Sequence, residues 1–376
     1  MRARSSALLA LFVLGPIAAS CSSSSAAPPD AAAGDDAGGS DAPADVPGAD
    51  ATVTAFDKTP LFFKDGSATG NQRVVDAPAS FPATGEYAKI VLHLTLSCPQ
   101  GGCDVYDRFG TLGVVTQKGA DGGPSTVVEI ARFVTPYGVG GSWDYDLTDL
   151  RPLLTGDLTL EAFIDTWVPQ GQSGIGQGWL LTATFQMTGG VPAKVPVAVV
   201  PIWTTKQVWY GDPAKPIAGS IPPATVTLPA GASSYAVRAF VTGHGQGNVD
   251  DCAEFCSRQH TLTVGSTPVS TTVWRTDCAT TAVKNQGGAY PFASRAGWCP
   301  GASVRPWIVD VTQDVGAGPT ASFAYDVQAY DNTCRPDAVP DGGTCVGCTL
   351  GASCAYDGGL HTEPFFYVSS VLIAYR

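Results

Sequence analysis

Three carboxylates draw attention through their neighbours: Asp107 in CPQGGCDVYDRFG, Asp165 in FIDTW and Glu254 in DDCAEFCSRQH. Each has an aromatic residue beside it or two positions away, namely Tyr106, Trp167 and Phe255. Aromatic walls raise carboxyl pKa values and offer faces to sugar rings, so the set suits general acid–base work in a cleft. Other chemistries lack an anchor. There is no G-x-S-x-G elbow and no phosphate-cradling Gly loop, and the four histidines, His93, His244, His260 and His361, make no metal-type pair. Copper chemistry would need more His and Met than these four plus Met187, the one methionine besides Met1. No metal or organic cofactor is expected.

Glu254 sits between Cys252 and Cys256. A disulfide closing so small a ring stabilises by roughly 2 kcal/mol, against about 3.4 for a ring of some twenty residues. Such a ring would matter more for the geometry around Glu254 than for stability.

The elements that must position these acids are read from the rest of the chain. Its 376 residues are 44% hydrophobic, enough for one large domain or two medium ones. A net charge of −12 with 21 Lys and Arg argues against a nucleic-acid partner and against a polybasic membrane patch. Residues 1–21 open with MRARSSALLALFVLGPIAAS, the layout of a secretory signal. Cys21 behind Ala18, Ala19 and Ser20 resembles a bacterial lipobox, with Ala18 where an aliphatic residue such as Leu is usual. Lipidation of Cys21 is expected, so that the membrane is met only through a lipid anchor, and Ser22 favours outer-membrane or surface display; signal-peptidase cleavage into the periplasm or medium is the alternative. Export also fits the eleven cysteines, of which Cys21 is the odd one and ten can pair in an oxidising compartment. Residues 22–52 read as an acidic, core-less tether.

From residue 53 the pattern changes to short β-branched or alternating runs, among them KIVLHLTL, STVVEIARFV, LTLEAFIDTW (158–167) and WLLTATFQM. A second series holds SYAVRAFVTG, HTLTVG, VRPWIVDVT (304–312), TASFAYDVQAY and FFYVSSVLIAY. With 44 Gly and 29 Pro as punctuation and no sustained helical period, an all-β protein of two packed antiparallel β-sandwiches is expected, at 53–190 and 191–376, with a binding cleft where they meet. An excursion at 331–361 carries Cys334, Cys345, Cys348 and Cys354. Two disulfides are expected there, with three connectivities open, in preference to a zinc site.

The series CDVYDRFG, RFVTPYGVGG, DTW, AVVPI, GHG, CAEFCSRQHTL, RAGWCPG and FFYVSSVLIA resembles the peptide-N-glycosidase F family in order and rough spacing, over residues 53–376 apart from the excursion. The resemblance implies two eight-stranded jelly rolls side by side, and hydrolysis of the amide joining an Asn side chain to the first GlcNAc of an N-glycan. It also implies the pairs Cys98–Cys103, Cys252–Cys256 and Cys278–Cys299. N-glycosylated proteins or peptides are then the expected partners of a monomeric enzyme.

Carried over by position, Asp107 matches the principal catalytic aspartate and Glu254 the essential glutamate. Asp165 stands where a third acid is Glu. The shorter side chain withdraws that carboxylate by roughly an ångström, a displacement that can cost about a hundredfold in rate. Arg108, Trp167, Arg295 and Trp298 fall on cleft positions, Tyr106 and Phe255 replace tryptophans, and Thr242 replaces another ahead of His244. The expected roles are Asp107 activating water, Glu254 holding a proton, Arg295 binding carbonyl oxygen and Arg108 keeping Asp107 ionised. The runner-up reading is a surface glycan- or protein-binding double jelly roll without turnover.

Overall fold

The computed structural model describes residues 45–376 apart from 65–70, 121–122, 124, 170–175, 249, 282, 284–285, 287–293 and 336–362. The expected signal, Cys21 and the tether up to residue 44 lie outside the described residues, as do Cys345, Cys348 and Cys354 of the excursion.

The first eight strands are β1 (Ala51–Leu61), β2 (Val74–Phe81), β3 (Tyr87–Ser97), β4 (Phe109–Gln117), β5 (Thr126–Val134), β6 (Gly141–Asp146), β7 (Gly156–Ile164) and β8 (Trp179–Gly189). They form two antiparallel sheets in the orders β1-β8-β3-β6 and β2-β7-β4-β5. The next eight are β9 (Pro196–Trp209), β10 (Ala224–Thr227), β11 (Ser234–His244), β12 (Gln259–Val264), β13 (Thr267–Thr272), β14 (Trp307–Asp310), β15 (Thr320–Val327) and β16 (Phe365–Tyr375). Their orders, β14-β11-β16-β9 and β10-β15-β12-β13, repeat those of the first set once eight is subtracted from each number. The molecule is therefore two packed antiparallel sandwiches of jelly-roll order.

Local pattern explains most of these strands. Along β3, Ile90, Leu92, Leu94 and Leu96 are buried while Val91, His93 and Thr95 are partly exposed, the alternation of a sheet with one face in the core. In contrast, β5 is buried continuously from Val128 to Val134. Val128, Ile130 and Phe133 enter the first core, while Val134 packs with Phe240, Trp298 and Val304 of the second sandwich. Neither strand face meets water, so alternation vanishes where the sandwiches abut.

Three expectations on extent are corrected. Residues 45–52, read above as the end of the tether, belong to the folded unit: Asp45 pairs with Arg376, Asp50 accepts from the Gly189 amide at 2.7 Å, and β1 already begins at Ala51. The strand expected through Trp167 ends at Ile164, because the Thr166 amide turns back to the Ile164 carbonyl (2.9 Å) and its hydroxyl bonds Asp104 (2.7 Å). The run 304–312 yields only Trp307–Asp310, since Pro306 has no amide to give a ladder. The pairs Cys98–Cys103, Cys252–Cys256 and Cys278–Cys299 are all formed.

Candidate active site

Asp107 lies on the loop from β3 to β4. The chain leaves β3 into the Cys98–Cys103 ring, where Gly101 and Gly102 take φ of +96° and +95°, values that a side chain would resist. Next comes Asp104, fully buried, which works as a hub: it accepts from the Tyr106 amide (2.9 Å), Arg108 Nε (2.8 Å) and the Thr166 hydroxyl (2.7 Å). Thr135 pins the far side, its hydroxyl accepting from the Arg108 amide at 2.8 Å and its own amide donating to the Arg108 carbonyl at 2.9 Å. Held at both ends, the loop turns Asp107 into the cleft, where the Tyr137 hydroxyl donates to its Oδ2 at 2.9 Å.

Glu254 comes from the other sandwich. Beyond β11 the chain passes Asp250 and Asp251, both left-handed (φ +54° and +52°), a conformation that Asp tolerates better than most residues. The Cys252–Cys256 ring follows. The Glu254 amide donates to the Gly245 carbonyl (3.0 Å) and its carbonyl accepts from the Ala296 amide (2.9 Å), so the loop is clamped between the end of β11 and the segment carrying Arg295. Arg295, nearly inaccessible, places Nε 3.2 Å from Glu254 Oε1 and stacks its guanidinium on Phe255, 4.7 Å from the ring centroid.

These groups line one cavity of about 400 Å³, with Val105, Tyr106, Asp107 and Tyr137 on one wall and Gln246, Glu254, Phe255 and Arg295 on the other. Two carboxylates facing each other across a partly dry space cannot both ionise easily. Burial and then the Asp107 charge push Glu254 up to about 8, against the pull of Arg295. Burial also raises Asp107, but the Tyr137 hydroxyl and Arg295 favour its carboxylate form. At neutral pH the arrangement thus favours a proton on Glu254, while Tyr137 and Arg295 favour the charged form of Asp107 against its burial.

Other residues singled out above are placed differently. Arg108 pairs with Asp104 and stacks on Tyr106 (4.9 Å), so it shapes the loop, and its charge adds a smaller pull toward the ionised form of Asp107. Asp165 and Trp167 are not among the residues lining the cavity. Instead, Asp165 pairs with Arg73, whose guanidinium lies 3.8 Å over the half-exposed Trp167 ring. Trp298 and His244 are not among the residues lining that cavity either. Trp298 is 2% exposed and donates its indole N–H to the Gly243 carbonyl at 2.8 Å, and His244 is stacked between it and Phe365. Burial and the Arg132 charge push His244 down to about 3, so it is neutral and braces the interface. Thr242 accepts from Arg132 Nη1 at 3.1 Å in the same interior.

Asp104, Tyr137 and Arg73 were not legible as site residues. Tyr137 stood in the quoted RFVTPYGVGG run, yet nothing local links it to an acid thirty positions away. The same holds for Arg73, whose partner Asp165 is separated by 92 positions.

Comparison with known proteins places this geometry in context. Profiles described as peptide-N-glycosidase F, C terminal, and peptide-N-glycosidase F, N terminal, match residues 216–343 and 119–174. The chain is 28% identical over 305 residues to peptide-N(4)-(N-acetyl-beta-D-glucosaminyl)asparagine amidase F of Elizabethkingia miricola, covering 78% of this chain and 80% of that one. Among solved structures it is similar to PNGase F, a glycosylasparaginase from Flavobacterium meningosepticum, with TM-score 0.67 at 24% identity over 87% of this chain and 96% of that chain. A structure of PNGF-II matches with TM-score 0.61 at 19% identity, over 86% of this chain and 65% of the other.

Proposed function

Since this chain belongs to the peptide-N-glycosidase F family, we propose that it is an amidase that hydrolyses the bond between an Asn side chain and the first GlcNAc of an N-glycan. The observation that carries this reading is the pairing, across one cleft, of Asp107 from the first sandwich with Glu254 and Arg295 from the second. Asp107 takes a proton from water as the water oxygen attacks the side-chain carbonyl carbon. The Arg295 guanidinium receives the developing oxyanion. Glu254 gives its proton to the departing nitrogen, the C–N bond breaks, and the products are an Asp side chain and a glycosylamine. Every atom comes from substrate and water, and these steps need no cofactor.

The substrates proposed are N-glycosylated proteins or peptides met outside the cytoplasm, where the three disulfides persist. A lipid on Cys21 would anchor the enzyme to an outer membrane or cell surface, with periplasmic or free secretion as the alternative.

One feature favours a binding-only protein: Asp165 is engaged by Arg73, which also covers a face of Trp167. Incubating the full chain, disulfides formed, with a denatured N-glycoprotein separates the readings when former glycosylation sites are inspected by mass spectrometry. Conversion of Asn to Asp by wild type and not by Asp107→Asn is the expected result. Intact glycopeptides after long incubation, with binding retained in both proteins, would establish the binding-only alternative.

A further inference from the structure

A second cavity, about 310 Å³, opens on the second sandwich and shares no lining residue with the cleft of Asp107 and Glu254. Its walls are the edges of two different sheets: β13 is terminal in one and β14 in the other. Trp274 enters from the chain just past β13, and Trp307 and the 52% exposed Ile308 enter from β14. Thr271 and Thr272 add hydroxyls at the β13 wall. The volume lies at the lower end of the range for small-ligand sites, about 300–1,000 Å³. Two indoles with hydroxyls nearby fit the apolar face and polar edge of a single sugar ring.

The charges at this cavity select among sugars. Arg275 is fixed: its Nε and Nη2 fork onto the Asp277 carboxylate, both at 2.9 Å, and its Nη1 donates to the Ser303 carbonyl at 2.8 Å. Arg305 also reaches Asp277, with Nη2 at 2.8 Å, but its side chain remains 71% exposed. Two guanidinium groups thus share one carboxylate, and they hold Asp277 down to about 2. Asp310, at the far end of β14, is paired with Lys194. The cavity mouth therefore carries an excess positive charge on a chain whose net charge is −12. An anion is drawn to such a spot, and a guanidinium can grip a carboxylate through two parallel hydrogen bonds.

We infer that this cavity is a second sugar site, for a carboxylate-bearing sugar such as those ending acidic glycan antennae. The sugar ring lies against Trp274 and Trp307, and its carboxylate meets Arg305. The site is joined to the catalytic cleft through the backbone. Arg275 and Arg295 exchange amide–carbonyl hydrogen bonds at 2.8 and 3.1 Å, and Gly297, two residues past Arg295, lines the cavity. Assigning the ligand to an antenna of the substrate rests on the amidase reading; the binding itself does not.

The test titrates sialyllactose, and lactose as its neutral counterpart, into the full-length protein by calorimetry. Wild type, Asp107→Asn, Arg305→Glu and Trp307→Ala are compared, with matched thermal unfolding as the check on folding. Sialyllactose is expected to bind wild type and Asp107→Asn alike, and Arg305→Glu to weaken it about tenfold or more. Lactose should bind at least about tenfold more weakly. Trp307→Ala should weaken both sugars, and Arg305→Glu alone carries the test if that variant unfolds. Equal binding of the two sugars, or sialyllactose binding lost in Asp107→Asn but retained in Arg305→Glu, would overturn the inference. Cleavage of a neutral N-glycopeptide is expected to be the same in wild type and Arg305→Glu. Sialyllactose binding without any such cleavage supports the site while removing the amidase reading.

Discussion

Asp107 and Glu254 illustrate how position, not residue type, makes a carboxyl group an acid or a base. Glu254 is pushed up to about 8, chiefly by burial and then by Asp107, whereas Asp107, itself raised by burial, accepts a hydrogen bond from the Tyr137 hydroxyl that favours its charged form. The proposed mechanism uses Glu254 protonated and Asp107 ionised, so activity is expected to fall as pH rises through about 8 and again in acid as Asp107 gains its proton. Tyr137→Phe withdraws a donor from Asp107 Oδ2 and should move the acid limb to higher pH while leaving the alkaline limb in place. A kcat/KM profile measures both, and an unmoved acid limb would show that Tyr137 does not act through Asp107. The Glu254 shift also makes stability depend on pH. The native state holds this proton more tightly than the unfolded chain, so the stability it contributes is full below about 4.5 and is lost as pH rises through about 8.

At the scale of elements, the Cys252–Cys256 ring has more to do with aim than with stability. It closes four positions and its loop-entropy contribution is about 2 kcal/mol, against about 3.4 for Cys278–Cys299. The loop it tightens is also clamped through the Glu254 amide and carbonyl. Replacing both Cys252 and Cys256 by Ser should lower the melting temperature by only a few degrees while reducing kcat about tenfold or more. Parallel melting and kinetic measurements decide the matter, and a large thermal loss with kcat intact would make the ring a mere staple. Strands such as β3 were readable because one of their faces meets the core and the other is partly exposed. The end of β7 was not, since a buried aspartate far away in sequence, Asp104, draws Thr166 out of the strand direction.

For the whole molecule, a working site requires the two sandwiches to keep register with each other. A buried ion pair helps fix them. From β5, Arg132 forks onto Glu129 at 2.6 and 2.7 Å, and its Nη1 crosses to the Tyr367 carbonyl at 2.7 Å. Hydroxyls of Ser369 and Thr205, both from the second sandwich, donate to Glu129 Oε2 at 2.6 and 2.8 Å. Arg132→Ala leaves Glu129 buried without its guanidinium and should cost about 3–5 kcal/mol, whereas Glu129→Leu combined with Arg132→Met should cost markedly less, since no unpaired charge remains. Urea unfolding compares them. A single substitution costing under about 1 kcal/mol would remove this pair as the lock between sandwiches.

The sequence by itself determined the all-β class, because side-chain alternation and Gly and Pro punctuation act over a few residues. Through its resemblance to a family it also pointed to the three disulfides and to Asp107 and Glu254. Only the tertiary structure decided which groups surround those acids. Arg108 pairs with Asp104, Trp298 is interior with His244 stacked on it, Arg73 sits on Trp167, and Tyr137 meets Asp107. The reason is physical. A strand is specified by its own neighbours in sequence, but the partner of a charge is chosen among groups tens to hundreds of positions away, brought together only when both sandwiches have formed and packed.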